Sequence, residues 1–272
     1  MRDVRPAAVA GMFYPGSHAA LAANVRDCLV EAATRPRAAG ARPKALIVPH
    51  AGYVYSGPIA AAAYARLAGS HATIRRVVLL GPTHRVAVRG LALPTVRAFA
   101  TPLGEVEIDR RAAALALALP QVLEDDAAHA QEHSLEVQLP FLQAVLDDFR
   151  IVPFAVGAAT PDEVADVIER LWGGPETLIL VSSDLSHYHG YADACALDRG
   201  SAEGILALSS ALDHEQACGA TPINVLALCA RRHRLVPELL DLRNSGDTAG
   251  DRSRVVGYAA FAFAEGGSHA GS

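Results

Sequence analysis

Short apolar runs alternate along the chain with longer, alanine-rich stretches of helical character, and this alternation predicts helices layered on a largely buried sheet. Ala45–Val48, Val77–Leu80, Ile151–Val156 and Leu178–Val181 contain no polar position that would mark a solvent face. They are predicted as strands covered on both sides, with Arg254–Phe263 as a late strand. Ala19–Ala33, Ile59–Leu67, Arg110–Leu117, Leu135–Leu146, Pro161–Leu171, Asp198–Leu208 and Pro222–Arg232 are predicted as helices. No Pro/Gly/Ser linker interrupts the chain before Gly266. Residues 1–265 are therefore expected to form a single three-layer α/β domain, its central sheet mostly parallel or mixed, and 266–272 a flexible C-terminal tail.

Composition narrows the function classes. The 272 residues are 51% hydrophobic and 19% charged, and a chain of that length buries roughly 70–75% of its unfolded surface, so its core needs neither disulfide nor structural metal. A net charge of −5 and a pI near 6.1 supply no diffuse basic field, which makes nucleic acid and anionic membranes poor expected partners. Cys28, Cys195, Cys218 and Cys229 include no C-x-x-C pair; that argues against a zinc knuckle and a secreted disulfide framework, and a cytoplasmic location is expected. No run reaches the roughly 18 apolar residues of a membrane span, and the opening residues are too short and broken for a signal h-region.

Three predicted strands end alike, passing directly into a turn that carries a metal or proton ligand: Ala45–Val48 into His50, Val77–Leu80 into His84, and Leu178–Val181 into Asp184 and His187. In open α/β sheets the crevice beyond the carboxyl ends of the strands is where loops converge on a rigid platform, so these side chains are expected to meet there. Two imidazoles with a carboxylate suit ferrous iron with open positions, whereas three nitrogens suit zinc or copper. A further cluster, Gln131-Glu132-His133-Ser-Leu-Glu136, reads either as an ordinary helix start or as a segment from which Glu132 or His133 reaches the crevice. The polar, Gly-rich stretch Leu242–Asp251 reads as a loop that can fold Asp247 over the strand ends.

The segments Pro49–Gly57, Gly81–His84, Glu132–Pro140, Ser183–Tyr188 and Cys218–Pro222, with the opening Ala10–Gly16, resemble the Memo family in order along the chain, including its bacterial and archaeal branch called AmmeMemoRadiSam system protein B. The resemblance runs from about residue 5 to 264 and implies a fold similar to that of the class III extradiol (LigB-type) dioxygenases. Carried over by position, it implies His50 and His84 as metal ligands, Asp247 as the third if one residue is inserted, His187 as acid/base and Asp184 beside it. Tyr55, Glu132, His133 and Cys218 are expected to line the substrate pocket, with Tyr53 packing because alternate residues of an extended turn face opposite ways.

The resemblance implies a non-haem metal-dependent oxidoreductase, with Fe(II) as cofactor ahead of Cu or Zn, acting on a small aromatic or enolisable substrate with oxygen. A non-catalytic metal- or peptide-binding protein is the alternative, as is a partner of AMMECR1-type and radical-SAM proteins. Hydrolysis is disfavoured: there is no G-x-S-x-G, and triad members rarely come from one loop as Ser183, Asp184, Ser186 and His187 would.

Overall fold

The structure, a computed structural model, describes residues 3–34 and 41–266; the tail expectation for 267–272 lies outside them. In chain order the strands are β1 (Val4–Arg5), β2 (Pro43–Val48), β3 (Arg76–Pro82), β4 (Leu91–Leu93), β5 (Ala98–Thr101), β6 (Gly104–Glu107), β7 (Val122–Glu124), β8 (Arg150–Val156), β9 (Thr177–Ser182), β10 (His187–His189), β11 (Leu235–Asn244) and β12 (Val255–Glu265). The α-helices are α1 (His18–Ala33), α2 (Tyr53–Tyr64), α3 (Arg110–Leu117), α4 (Asp126–Ala130), α5 (Leu139–Val145), α6 (Pro161–Arg170), α7 (Tyr191–Leu206) and α8 (Ala220–Arg232).

Nine strands form a mixed sheet in the order β10-β12-β2-β9-β3-β8-β4-β7, with β11 also paired to β12. Its centre, β2-β9-β3-β8, is parallel, and every residue of β9 is buried. That is why these strands read as unbroken apolar runs: with helices over both faces, a parallel strand has no side to leave polar. Helices α1, α2 and α5 pack together, and α6 packs on α8, which touches β9 and β11. The outcome is the expected three-layer α/β arrangement. A smaller sheet, β1-β5-β6, stands apart and ties Val4 and Arg5 to Ala98 and Phe99.

Several elements differ from the expected ones for local reasons. Helix α2 begins at Tyr53, six residues before the predicted start, and carries Pro58 inside it; burial of Ser56, Ile59, Ala60 and Ala61 overrides the Gly57-Pro58 break. The predicted helix Leu135–Leu146 is split into a 3-10 turn, Glu136–Gln138, and α5. Leu242–Asn244, expected as loop, closes β11, whose partly exposed run lies along β12.

Candidate metal centre

Strands β2, β9 and β3 lie side by side and parallel, so the turns after Val48, Ser182 and Pro82 emerge together at one edge. His50 and Asp184 come from two of these turns: the His50 N–H donates to Asp184 Oδ1 at 2.7 Å, and Asp184 Oδ2 lies 3.9 Å from His50 Nε2. His84 follows β3. The third imidazole comes from a segment between α4 and α5, because Glu132-His133-Ser134 is fastened across the three strand ends. Ser134 Oγ donates to the Pro82 carbonyl, Ser182 Oγ donates to the Ser134 carbonyl, and Gln138 Nε2 donates to the Pro49 carbonyl and to Ser182 Oγ.

His50, His84 and His133 consequently offer ligand nitrogens that all lie within 4.8 Å of one another, a group able to hold a metal ion. Their rings meet at centroid distances of 4.7–5.4 Å. Hydrogen bonding assigns the free nitrogen. Ser182 Oγ gives its only proton to Ser134, so the 2.9 Å contact with His50 Nδ1 requires Nδ1 to carry hydrogen, which leaves Nε2 as the unprotonated nitrogen, with Cys218 Sγ 3.3 Å away. His84 Nδ1 lies 2.9 Å from Glu132 Oε1, and His133 Nδ1 lies 3.4 Å from the same oxygen. The Glu132 carboxylate thus turns the His84 ring so that Nε2 is its available donor, the arrangement by which outer partners orient metal-binding histidines, and it takes the His133 backbone N–H as well.

Electrostatics keep two of these rings, His50 and His133, neutral. Burial, reinforced by His84, pushes His50 down to about 3, and burial with the neighbouring His50 pushes His133 down to about 4. Burial alone would raise Glu132; the hydrogen bond and charge of His84, with the Ser134 N–H, outweigh it and bring the carboxyl to about 2. Asp184 is shifted the other way, upward, by burial, against the opposing His50 N–H and the charges of His187 and His133. His50 and His133 are therefore unprotonated donors beside an anionic Glu132.

The other expected site residues divide as follows. His187, on β10, is half-buried and acts electrostatically on both His50 and Asp184. Cys218 places Sγ 3.3 Å from His50 Nε2 and lies outside the three-histidine group; burial, then Asp184, pushes its thiol up to about 12. Tyr55 is 38% exposed, while Tyr53 is buried with its hydroxyl donating to the Val137 carbonyl. Both belong to the first turn of α2, so the extended-turn rationale for their division is replaced by a helical one. Asp184 and Tyr55 both lie in electrostatic range of the Tyr258 phenol.

Asp247, expected as the third ligand, is engaged by other groups. It ends a 3-10 turn, Ser245–Asp247, where Oδ2 accepts the Asn244 N–H at 3.1 Å and Oδ1 accepts the Tyr191 hydroxyl at 2.6 Å. Local capping by an Asn-x-x-Asp turn competes for this carboxylate, and the group able to hold a metal contains His133. Ser134, Gln138 and Ser182 were not among the residues expected here. Their one sequence signal is polarity next to apolar strand ends.

A Memo-like protein family model matches residues 5–262. A MEMO1 family protein of Ignicoccus hospitalis is 37% identical over 96% of this chain and 98% of its own length. One from Methanopyrus kandleri is 37% identical over 96% and 99%, and one from Sulfurisphaera tokodaii 33% identical over 96% and 100%. Among solved structures, an uncharacterized protein of Escherichia coli K12 superposes with a TM-score of 0.52 at 14% identity, covering 81% of this chain and 100% of that one, a likeness of fold alone.

Proposed function

The chain belongs to the Memo family, and from that premise we propose that it is a metal-dependent oxidoreductase, dioxygenase-like, with the metal at His50, His84 and His133. The observation that carries the reading is the convergence of three imidazoles within 4.8 Å of one another, one of them hydrogen-bonded through Nδ1 to a buried carboxylate. The residues fit a first-row ion: nitrogen donors, two of them hydrogen-bonded from behind, at the edge of a rigid sheet. Such an ion would supply a Lewis-acidic, redox-capable centre with coordination positions beyond the protein's three.

The donors narrow the choice of metal. Three imidazoles accept zinc, copper or iron. Asp184, with an oxygen 3.9 Å from His50 Nε2, stands beside the three rings and outside their group, and this neighbouring carboxylate is the feature that leans the set toward Fe(II). The protein's own chemistry is proton handling. Imidazole is the side chain that ordinarily exchanges its proton nearest neutrality, so His187, outside the ligand set, is the group to take a proton from a phenolic or enolic substrate. Asp184, raised by burial, holds the His50 backbone and faces the same charges. Tyr55, half-way out to solvent, is placed to contact a small planar ligand.

The test is anaerobic reconstitution with Fe(II), Zn(II) or Cu(I), then oxygen uptake with catechol. Uptake with Fe(II) that requires His187 and disappears in His133→Ala supports the reading. Stoichiometric metal binding without oxygen uptake makes the protein a metal binder and sinks the oxidoreductase assignment.

A further inference from the structure

Arg5 is 4% exposed and lies far from any ligand in sequence, yet its guanidinium is fully engaged beneath the histidine cluster. Its Nε donates to the His129 carbonyl at 2.6 Å and one terminal nitrogen donates to the Glu132 carbonyl at 2.6 Å. The other reaches Glu136 Oε2 at 2.6 Å, and the group stacks over Phe99. Glu136, 0% exposed, accepts in addition the N–H groups of Ala8 and Val9 at 2.8 and 3.0 Å and the Tyr14 hydroxyl at 2.5 Å. Further along the same segment the Phe13 ring lies 4.7 Å from the His133 ring, and the Phe13 carbonyl accepts the Tyr53 N–H at 2.7 Å.

We infer that Arg5 is a positioning residue of the centre: with Glu136 as its counter-charge, the segment from Val4 to Tyr14 sets where Glu132 and His133 stand. Two physical points carry this. Burying an ion pair is an inefficient way to gain stability, since apolar residues of similar volume often do as well or better; in some proteins such a pair serves instead to specify one arrangement. Here the arrangement specified is local. Arg5 grips both ends of His129–Glu132, and Glu132 then fixes His84 through its backbone N–H at 2.6 Å and its Nδ1 at 2.9 Å. His50 is held instead by Ser182 and Asp184. The amino-terminal segment is thus part of the site although none of its residues is in the histidine group, and its influence falls on two of the three rings.

This inference rests on the metal reading only for its affinity arm, and the experiment separates the two. The full chain is prepared as wild type, Arg5→Gln and Leu21→Ala, the last removing buried side-chain volume in α1 as a control for general destabilisation. Ring-nitrogen NMR signals of the metal-free proteins are recorded first, then Co(II) is titrated and its visible spectrum followed. Arg5→Gln is expected to move the His84 and His133 signals, to leave those of His50 in place, to weaken Co(II) about 10–100-fold and to alter its spectrum. Leu21→Ala should leave signals and affinity within twofold of wild type. Unmoved His84 and His133 signals, or an equal loss of Co(II) affinity in Leu21→Ala, overturn the assignment. Should Arg5→Gln fail to fold, Tyr14→Phe, which deletes one hydroxyl from Glu136, is read by the same signals against the same criteria. A wild type that takes up no Co(II) removes the metal reading, while the ring signals still decide the role of Arg5.

Discussion

Glu132 and Asp247 are both carboxylates beside glycine-poor and glycine-rich turns respectively, and their partners assign them opposite roles. Glu132 accepts from the N–H groups of His84, His133 and Ser134 and from His84 Nδ1. Glu132→Gln replaces an acceptor-only group by one that must also donate, so one of these bonds turns repulsive and His84 loses its orientation. Metal affinity should fall about 10–100-fold with the fold retained, read by titration with Zn(II) or Co(II). Asp247→Asn should leave that affinity unchanged, because its carboxylate serves a turn and the Tyr191 hydroxyl. It should lower stability by about 1 kcal/mol, as loss of a cap does, read by urea unfolding. An affinity drop on Asp247→Asn would return Asp247 to the ligand set.

At the level of elements, the site depends on how tightly the Glu132–Leu135 segment is seated on the end of β3. A Cβ built on Gly81 would stand 2.8 Å from Ser134 Oγ and 2.9 Å from Leu135 Cδ2, closer than real contacts allow. Gly81→Ala must therefore displace the Ser134 and Leu135 side chains that seat the segment, the Ser134 bond to the Pro82 carbonyl among their contacts. A loss of about 1–3 kcal/mol in unfolding free energy is expected, typical of overpacking, accompanied by weaker metal binding because His133 travels with Ser134. Unfolding and metal titration on one preparation check both; a variant as stable as wild type with unchanged affinity would show that the segment adjusts freely. The adjacency of β2, β9 and β3 that makes this seating possible was legible from their apolar runs. The splitting of Leu135–Leu146 was not, since a 3-10 turn followed by a helix carries the same hydrophobic spacing as one continuous helix.

Across the whole molecule, buried neutral histidines impose a pH dependence on stability. His129, 2% exposed, is pushed down to about 4, chiefly by burial, and His50 and His133 are lowered as well. Between about 6.5, the unfolded value, and those folded values the unfolded chain binds more protons, so stability rises with pH and is lost as pH falls through that window. Asp184, raised by burial, works in the opposite sense. For His129 the lowering corresponds to about 3 kcal/mol at neutral pH relative to strong acid. The metal-free protein should accordingly lose stability on acidification from pH 7 to 4.5, and His129→Gln should flatten that loss by about one proton's share. Denaturant midpoints across the pH series measure it; an identical slope in the variant would mean that His129 does not stay neutral in the fold.

The chain by itself determined whatever neighbours along it decide: buried strands from unbroken apolar runs, helices from their spacing, and a ligand-bearing turn after each of three central strands. Those strand-end residues, His50, His84 and Asp184, needed only the rule that parallel strands deliver their loops to one edge. Tertiary structure alone decided the third imidazole. Whether Glu132-His133 merely opens a helix or enters the crevice depends on contacts such as Ser182 to Ser134, 48 residues apart, and Arg5 to Glu136, 131 apart. Nor does Asn244-Ser-Gly-Asp247 announce whether its carboxylate will bind a metal or close its own turn. Hydrophobic periodicity reports burial, and burial is local to each element; the pairing of polar groups between distant elements is set by packing and leaves no period in the sequence.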